Sequence, residues 1–239
     1  MIFFELTDNI ELTGFEYYPF ASGHTVENAE VFFQPQGIYH NSFLNSTPIF
    51  DYFSLISVSK KGSNESALLY FYEFAGSNYP HIDGLLISEK FKLVLDQFIL
   101  PPNTMFYPAK LLYHGVKLDY NIFQYTFDVM SHLDYMNSTW QYSNSKFGIL
   151  NLTEGCTELD FKLTNKHHYN KYILTNTRES QIILKDAYFN DFVDIISIIG
   201  ISRYAISERL KNAIIDSNIT PARIQPKELI NFHFHNGTP

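Results

Sequence analysis

Apolar and polar residues follow two different periods along this chain, and the shorter period dominates. Ser66–Phe74 is a short, aromatic-rich apolar run bounded by Gly62 and Gly76, which predicts a strand. In Val116–Asp128 the apolar parity switches: Leu118, Tyr120 and Ile122 share one parity, Phe123, Tyr125 and Phe127 the other. A switch of that kind predicts a bulge or bend after Ile122. Glu158–Leu163 alternates, with Leu159, Phe161 and Leu163 apolar, and predicts a half-buried strand. Lys171–Thr175 and Gln181–Phe189 are further strand candidates.

The helical period surfaces in two places. After Ser88, apolar residues fall at Phe91, Val94, Leu95 and Phe98; after Ser207 they fall at Leu210, Ala213 and Ile214. Each serine is a good N-cap, and Glu89 and Glu208 stand where the helix dipole favours a negative charge. Pro101-Pro102 and Pro221 stop the two helices. Further helix is expected near Asn190–Ile199.

The two segments also match each other. Ile87-Ser-Glu-Lys-Phe-Lys92 aligns with Ile206-Ser-Glu-Arg-Leu-Lys211, an offset of 206 − 87 = 119. At the same offset Val94 meets Ala213, Leu95 meets Ile214 and Pro102 meets Pro221. The match reads as two copies of a strand–capped helix–strand unit, the alternative being a commonplace helix start used twice. Strands run consecutively rather than alternating with helices, so the expected fold is α+β: a mainly antiparallel sheet system with a few short helices. No linker rich in Gly, Ser or Pro divides the 239 residues, which predicts one domain over 1–239 with a β-rich first portion over about 1–60.

Composition narrows the class. With 45% apolar, 17% aromatic and 18% charged residues the chain is no disordered polymer. Its formal charge of −8 supplies no dense cationic face for nucleic acid. The single cysteine, Cys156, excludes an intramolecular disulfide and suits a reducing compartment. Met1–Glu5 lacks a basic stretch, and Phe192–Ile201, broken by Asp194, is far shorter than the ~20 residues a bilayer requires. A cytoplasmic protein with no membrane partner is expected.

Candidate chemistry is sparse. His233-Phe-His235 on an extended segment places both imidazoles on one face, as a metal pair requires. Near the end of the sequence it reads instead as a frayed tail. His167-His168, on a strand, would point to opposite faces. His132 and Asp134 resemble half a triad, although a polar turn is the plainer reading, and Cys156 is either a nucleophile or a small core hydrophobe. Walker A, Gly-x-Gly-x-x-Gly, His-Glu-x-x-His and Cys-x-x-Cys motifs are missing from the sequence, so no cofactor is expected. The 17 tyrosines include clusters at Tyr17-Tyr18, Tyr70–Tyr72 and Tyr135–Tyr142, and the last, in Leu133–Tyr142, combines Asp134, Tyr135, the one tryptophan Trp140 and Tyr142. Tyrosine and tryptophan suit interfaces, which makes these four the candidate partner-binding residues.

Ser88-Glu89 opening a helix, Met105-Phe-Tyr-Pro108, the step Leu133-Asp134-Tyr135 and the closing helix Ile206–Ile215 together resemble a group of bacterial immunity proteins of polymorphic toxin systems, over roughly residues 50–230. Thr220-Pro-Ala-Arg-Ile224 replaces the glycine-containing closing strand of that group. The resemblance implies a non-enzymatic inhibitor of a cognate toxin protein. A hydrolase using His132, Asp134 or Cys156, and a carbohydrate-binding module with a row of exposed tyrosines, are the alternatives.

Overall fold

A computed structural model describes residues 3–8, 19–25, 50–57, 68–72, 84–125, 129–143, 156–158, 162–175, 181–198, 203–219, 222–226 and 231–236. It is an α+β protein rich in strands, as expected. Contacts gather into two compact units: Met1–Glu5, Asp128–Glu208 and Gln225–Pro239 form the first, Leu6–Phe127 and Arg209–Ile224 the second. Each unit is discontinuous in sequence.

The second unit is built on six strands: β2 (Pro19–Thr25), β3 (Phe50–Ser57), β4 (Phe71–Tyr72), β5 (Gly84–Ser88), β6 (Thr104–Tyr113) and β7 (Val116–Tyr125). Their order is β2-β3-β6-β7-β5-β4. All neighbours are antiparallel except β3 and β6. β6 and β7 form a hairpin closed by His114 and Gly115, whose φ angles of 47° and 78° twist the turn as a two-residue hairpin requires.

The bulge expected after Ile122 is not there: β7 pairs in unbroken register with β6 from Val116 to Tyr125 and with β5 from Tyr120 to Gln124. The parity switch has another cause, because β7 is buried on both faces from Tyr120 to Gln124. One face carries Tyr120 and Ile122 into a core with Ala21, Phe53, Leu69, Tyr72, Leu86, Tyr107 and Leu111. The other presents Asn121 and Phe123, and helix α1 (Glu89–Leu95) lies over it. There Phe91 meets Phe71 at 5.7 Å between ring centres, and the Asn121 amide donates to Glu89 at 2.7 Å. Ser88 caps α1 as expected, accepting from Phe91 N–H at 3.2 Å. Within the core the Tyr120 hydroxyl donates to the Leu69 carbonyl at 2.6 Å, and burial pushes that phenol well above its ordinary range.

Eight further elements follow. α2 spans Val129–His132, β8 Thr139–Ser143, β9 Cys156–Glu158, α3 Lys166–Thr175, β10 Gln181–Phe189, β11 Ile195–Ile198, β12 Arg203–Ser207 and α4 Glu208–Asp216. β13 (Ala222–Pro226) and β14 (Asn231–Phe234) close the chain, and β1 (Phe3–Asp8) opens it. One four-stranded sheet runs β14-β10-β8-β9 and another β11-β12-β1-β13.

Four local expectations are corrected. The helix anticipated near Asn190–Ile199 is strand β11, paired antiparallel with β12 from Ile195↔Ile206 to Ile198↔Arg203. Its β-branched isoleucines suit a buried strand. The strand anticipated at Lys171–Thr175 is the end of α3. Asn165 caps that helix by accepting from His168 N–H at 2.9 Å, and this local bond starts the turn that carries the chain through Thr175. Lys162 and Leu163, read as strand, precede α3 in irregular backbone, where Leu163 is buried. His167 and His168 therefore sit on a helix and not on opposite strand faces.

Gly84 lets β5 approach β7: a Cβ there would lie 2.3 Å from the Phe123 carbonyl oxygen. We expect Gly84→Ala to destabilise the protein by about 1–3 kcal/mol, since backbone on both sides must move. Urea unfolding monitored by circular dichroism measures this, and an unchanged midpoint contradicts it.

Candidate functional site: a histidine–tyrosine–aspartate face

The richest grouping of ionisable and aromatic side chains among the described residues lies in the first unit, on the β14-β10-β8-β9 sheet. β14 runs parallel to β10 with Asp186 opposite Asn231, Tyr188 opposite His233 and Phe189 opposite Phe234. Alternation along each strand puts Asp186 and Tyr188 on the same side as Asn231, His233 and the following His235. The opposite side is apolar: Phe232 is buried and stacks on Phe189 at 6.3 Å and on Phe3 at 4.6 Å.

On the polar side Tyr188 stands between two imidazoles, 4.2 Å from His233 with planes 10° apart and 5.8 Å from His235. Each imidazole faces a carboxylate. His235 Nε2 lies 2.8 Å from Asp134 Oδ2, and His233 Nε2 lies 3.8 Å from Asp186 Oδ1. The carboxylates have other donors as well. Asp134 Oδ1 accepts from the N–H groups of Met136 and Asn137, and its Oδ2 from the Asn137 amide at 2.7 Å. Asp186 accepts from the Thr139 hydroxyl at 2.5 Å and the Asn231 amide at 2.9 Å. The Asn137 amide, with help from His235 and the turn N–H groups, holds the Asp134 carboxyl below the usual carboxylate range despite some burial. Burial opposes ionisation of Asp186, but Thr139, Asn231, Lys185 and His233 together carry it below that range too.

Backbone bonds fix the turn that delivers Asp134. Its N–H donates to the Tyr188 carbonyl at 2.7 Å, its carbonyl accepts from Ser138 N–H at 2.9 Å, and Ser138 Oγ accepts from Tyr188 N–H at 3.0 Å. The polar turn anticipated at His132–Asp134 is thus present from Asp134 to Asn137, but the imidazole that meets Asp134 is His235. His233 and His235 belong to a paired strand and its immediate continuation, where His235 N–H donates to the Phe189 carbonyl, and not to a frayed tail. Among the described residues no group of three or more His, Cys, Asp or Glu side chains is placed to hold a metal ion.

The four candidate partner-binding residues fare differently. Asp134 lies on this face. Tyr135 and Trp140 do not form an open aromatic anchor: they are 8% and 5% exposed, and Trp140 is a residue of strand β8. Trp140 stacks on Tyr135 at 6.1 Å and packs at a tilt against Tyr169 of α3 at 5.2 Å, because a ring pointing inward from a covered sheet removes more apolar area from water than one at a loop tip. Tyr142 pairs through its backbone with Ile182 and Thr157, and Cys156 with Ser143; their side chains lie outside the described residues. Asp186, Tyr188 and Asn231 were missed by the sequence reading. The one sequence signal for them is the same i, i+2 spacing in β10 as in His233-Phe-His235.

Chemically the face offers ionised carboxylates and imidazoles that satisfy one another across strands. Its hydroxyls are engaged too, Ser138 by backbone N–H and Thr139 by Asp186. His233 stacks on the Tyr188 ring, and His235 lies against it at a tilt. No family model, curated protein or solved structure matches the chain.

Two outcomes follow. Trp140→Ala is expected to lower stability by about 3–5 kcal/mol, read as a fall in urea midpoint, because it empties a buried ring stack. Asp134→Asn is expected to lower stability by up to about 1 kcal/mol near pH 7, its carboxylate being partly exposed. The folded carboxyl titrates below its unfolded value of about 3.9, so its contribution is complete above that value and is lost as pH falls through the folded one. The gap between wild type and variant therefore begins to narrow below about pH 4, which urea titrations at pH 7 and pH 3 compare.

Proposed function

We propose that this protein is an immunity protein: it binds a cognate bacterial toxin domain in the cytoplasm of the producing cell, neutralises it, and transforms no substrate. The observation that carries this reading is the self-satisfied polar face around Tyr188. Asp134 bonds His235 and Asn137, Asp186 bonds Thr139 and Asn231, and His233 stacks on the Tyr188 ring, so much of the surface is organised before a partner arrives. Ordering side chains on binding costs about 0.5–1.5 kcal/mol each, and a preorganised face avoids much of that.

Charge supports the same reading. A net −8 speeds encounter with a basic partner, and toxins that act on nucleic acid are commonly basic. Helix α1, capped by Ser88, and the strand–helix pair β12–α4 are two of the segments on which the resemblance to the immunity group rests. Among the described residues no helix is long and apolar enough to cross a membrane. We place the partner contact at His233, Tyr188, His235 and Asp134, in the centre of an interface of about 800 Å² on this side.

Co-expression with the terminal domain of a toxin encoded beside it tests the function by survival. Tyr188→Ala and His235→Ala should each weaken binding about tenfold or more by calorimetry, while the melting temperature of the free protein moves only a few degrees. Survival no better than with an unrelated protein overturns the immunity reading. So does turnover of a small ester or amide that His235→Ala abolishes. Binding left intact by both variants would move the contact elsewhere on the surface.

A further inference from the structure

The two matching segments of sequence are the visible part of a larger correspondence. β5 is flanked by β4, which precedes it, and β12 is flanked by β11, which precedes it; both pairs are antiparallel. At the cap the same backbone bond recurs: Ser88 N–H donates to the carbonyl of Tyr70, one residue before β4, and Ser207 N–H to the carbonyl of Asp194, one residue before β11. A helix follows at once in each case, α1 and α4, and after each helix comes a strand, β6 and β13. Burial matches at the offset of 119, with Ile87 and Ile206, Phe91 and Leu210, and Leu95 and Ile214 each at most 1% exposed.

Strand order is the deciding observation. In the larger sheet the order is β4-β5-β7-β6, and in the smaller one β11-β12-β1-β13. In both, one strand stands between the strand before the helix and the strand after it. In the first case that middle strand is β7, supplied by the hairpin following β6. In the second it is β1, from the other end of the sequence. The start of each helix touches the chain just past the other. Lys90 at the start of α1 donates to the Asn218 carbonyl just past α4, and Arg209, its equivalent on α4, lies over the Phe98 ring just past α1 at 5.6 Å.

We infer that the chain holds two copies of one strand–strand–helix–strand module, and that β1 serves as a donor strand occupying in the second copy the central place β7 has in the first. The pattern of β1 fits that place: Phe3, Phe4 and Leu6 are all buried, so both of its faces are covered, as those of β7 are. Phe3 stacks on Phe232 and Phe234 on one side. Without β1, strands β12 and β13 would face each other across a gap one strand wide, each with an unpaired backbone edge.

Hydrogen exchange on the full chain tests this directly. Amides of Phe3–Leu6 should exchange within about tenfold of those of Tyr204–Ile206, since central strands open with their sheet. Exchange of β1 at the rate of an unstructured peptide, with β12 protected, overturns the inference. A specific protease site inserted between Asp8 and Pro19 supplies a second measurement. After cleavage of the folded protein the released strand should stay bound through gel filtration in native buffer, or leave with a fall in melting temperature; adding Phe3→Asp should promote its loss. Departure of the strand with the melting temperature unchanged overturns the donor role.

Discussion

Burial of β7 on both faces is the constraint from which the second unit is organised. A strand covered on one side needs only alternation, but β7 carries apolar side chains of both parities and must have a layer on each side. The layer opposite the main core is α1, and Ser88 and Gly84 place it: the serine starts the helix directly at the end of β5, and the glycine lets β5 approach β7 closely enough to carry it. The one polar side chain that β7 turns toward the helix, Asn121, finds its partner in Glu89, the helix's first residue. An unpaired amide at that depth would cost about 1–3 kcal/mol.

The polar face of the first unit follows the same rule of satisfaction with the opposite outcome. Its sheet is apolar underneath, where Phe232, Phe189 and Phe3 pack, and polar above, where every charged group has a neighbour of opposite or complementary character. Crossing bonds tie four separate stretches of chain together: the Asp134–Asn137 turn, Thr139 of β8, Asp186 and Tyr188 of β10, and Asn231 to His235. Such a face is stiff because moving one member leaves another unsatisfied.

Several elements were legible in the residues alone. Helices start directly after Ser88 and Ser207 as expected, and at Ser88 the side-chain oxygen accepts Phe91 N–H, a local event; the strand at Gln181–Phe189 is where its composition puts it. The correspondence at an offset of 119 was visible too, since it lies in the order of residue types. Misreadings occurred where a long-range contact outweighed a local pattern. The parity switch in β7 looked like a bulge until the helix on the second face was known. Asn165 drew Lys171–Thr175 into a helix, and Trp140 turned from a surface anchor into core once Tyr135 and Tyr169 closed around it.

What the residue order determined on its own was the class: strands in succession, two short capped helices, a full core, and an acidic surface. Periodicity and capping act within a few residues, so they survive in any reading of the chain. The tertiary structure alone decided which histidine meets Asp134, which ring lies between the imidazoles, and which strand fills the middle of each sheet. Those choices depend on pairing between segments as far apart as 101 residues, for Asp134 and His235, and local sequence carries no record of register across such a distance.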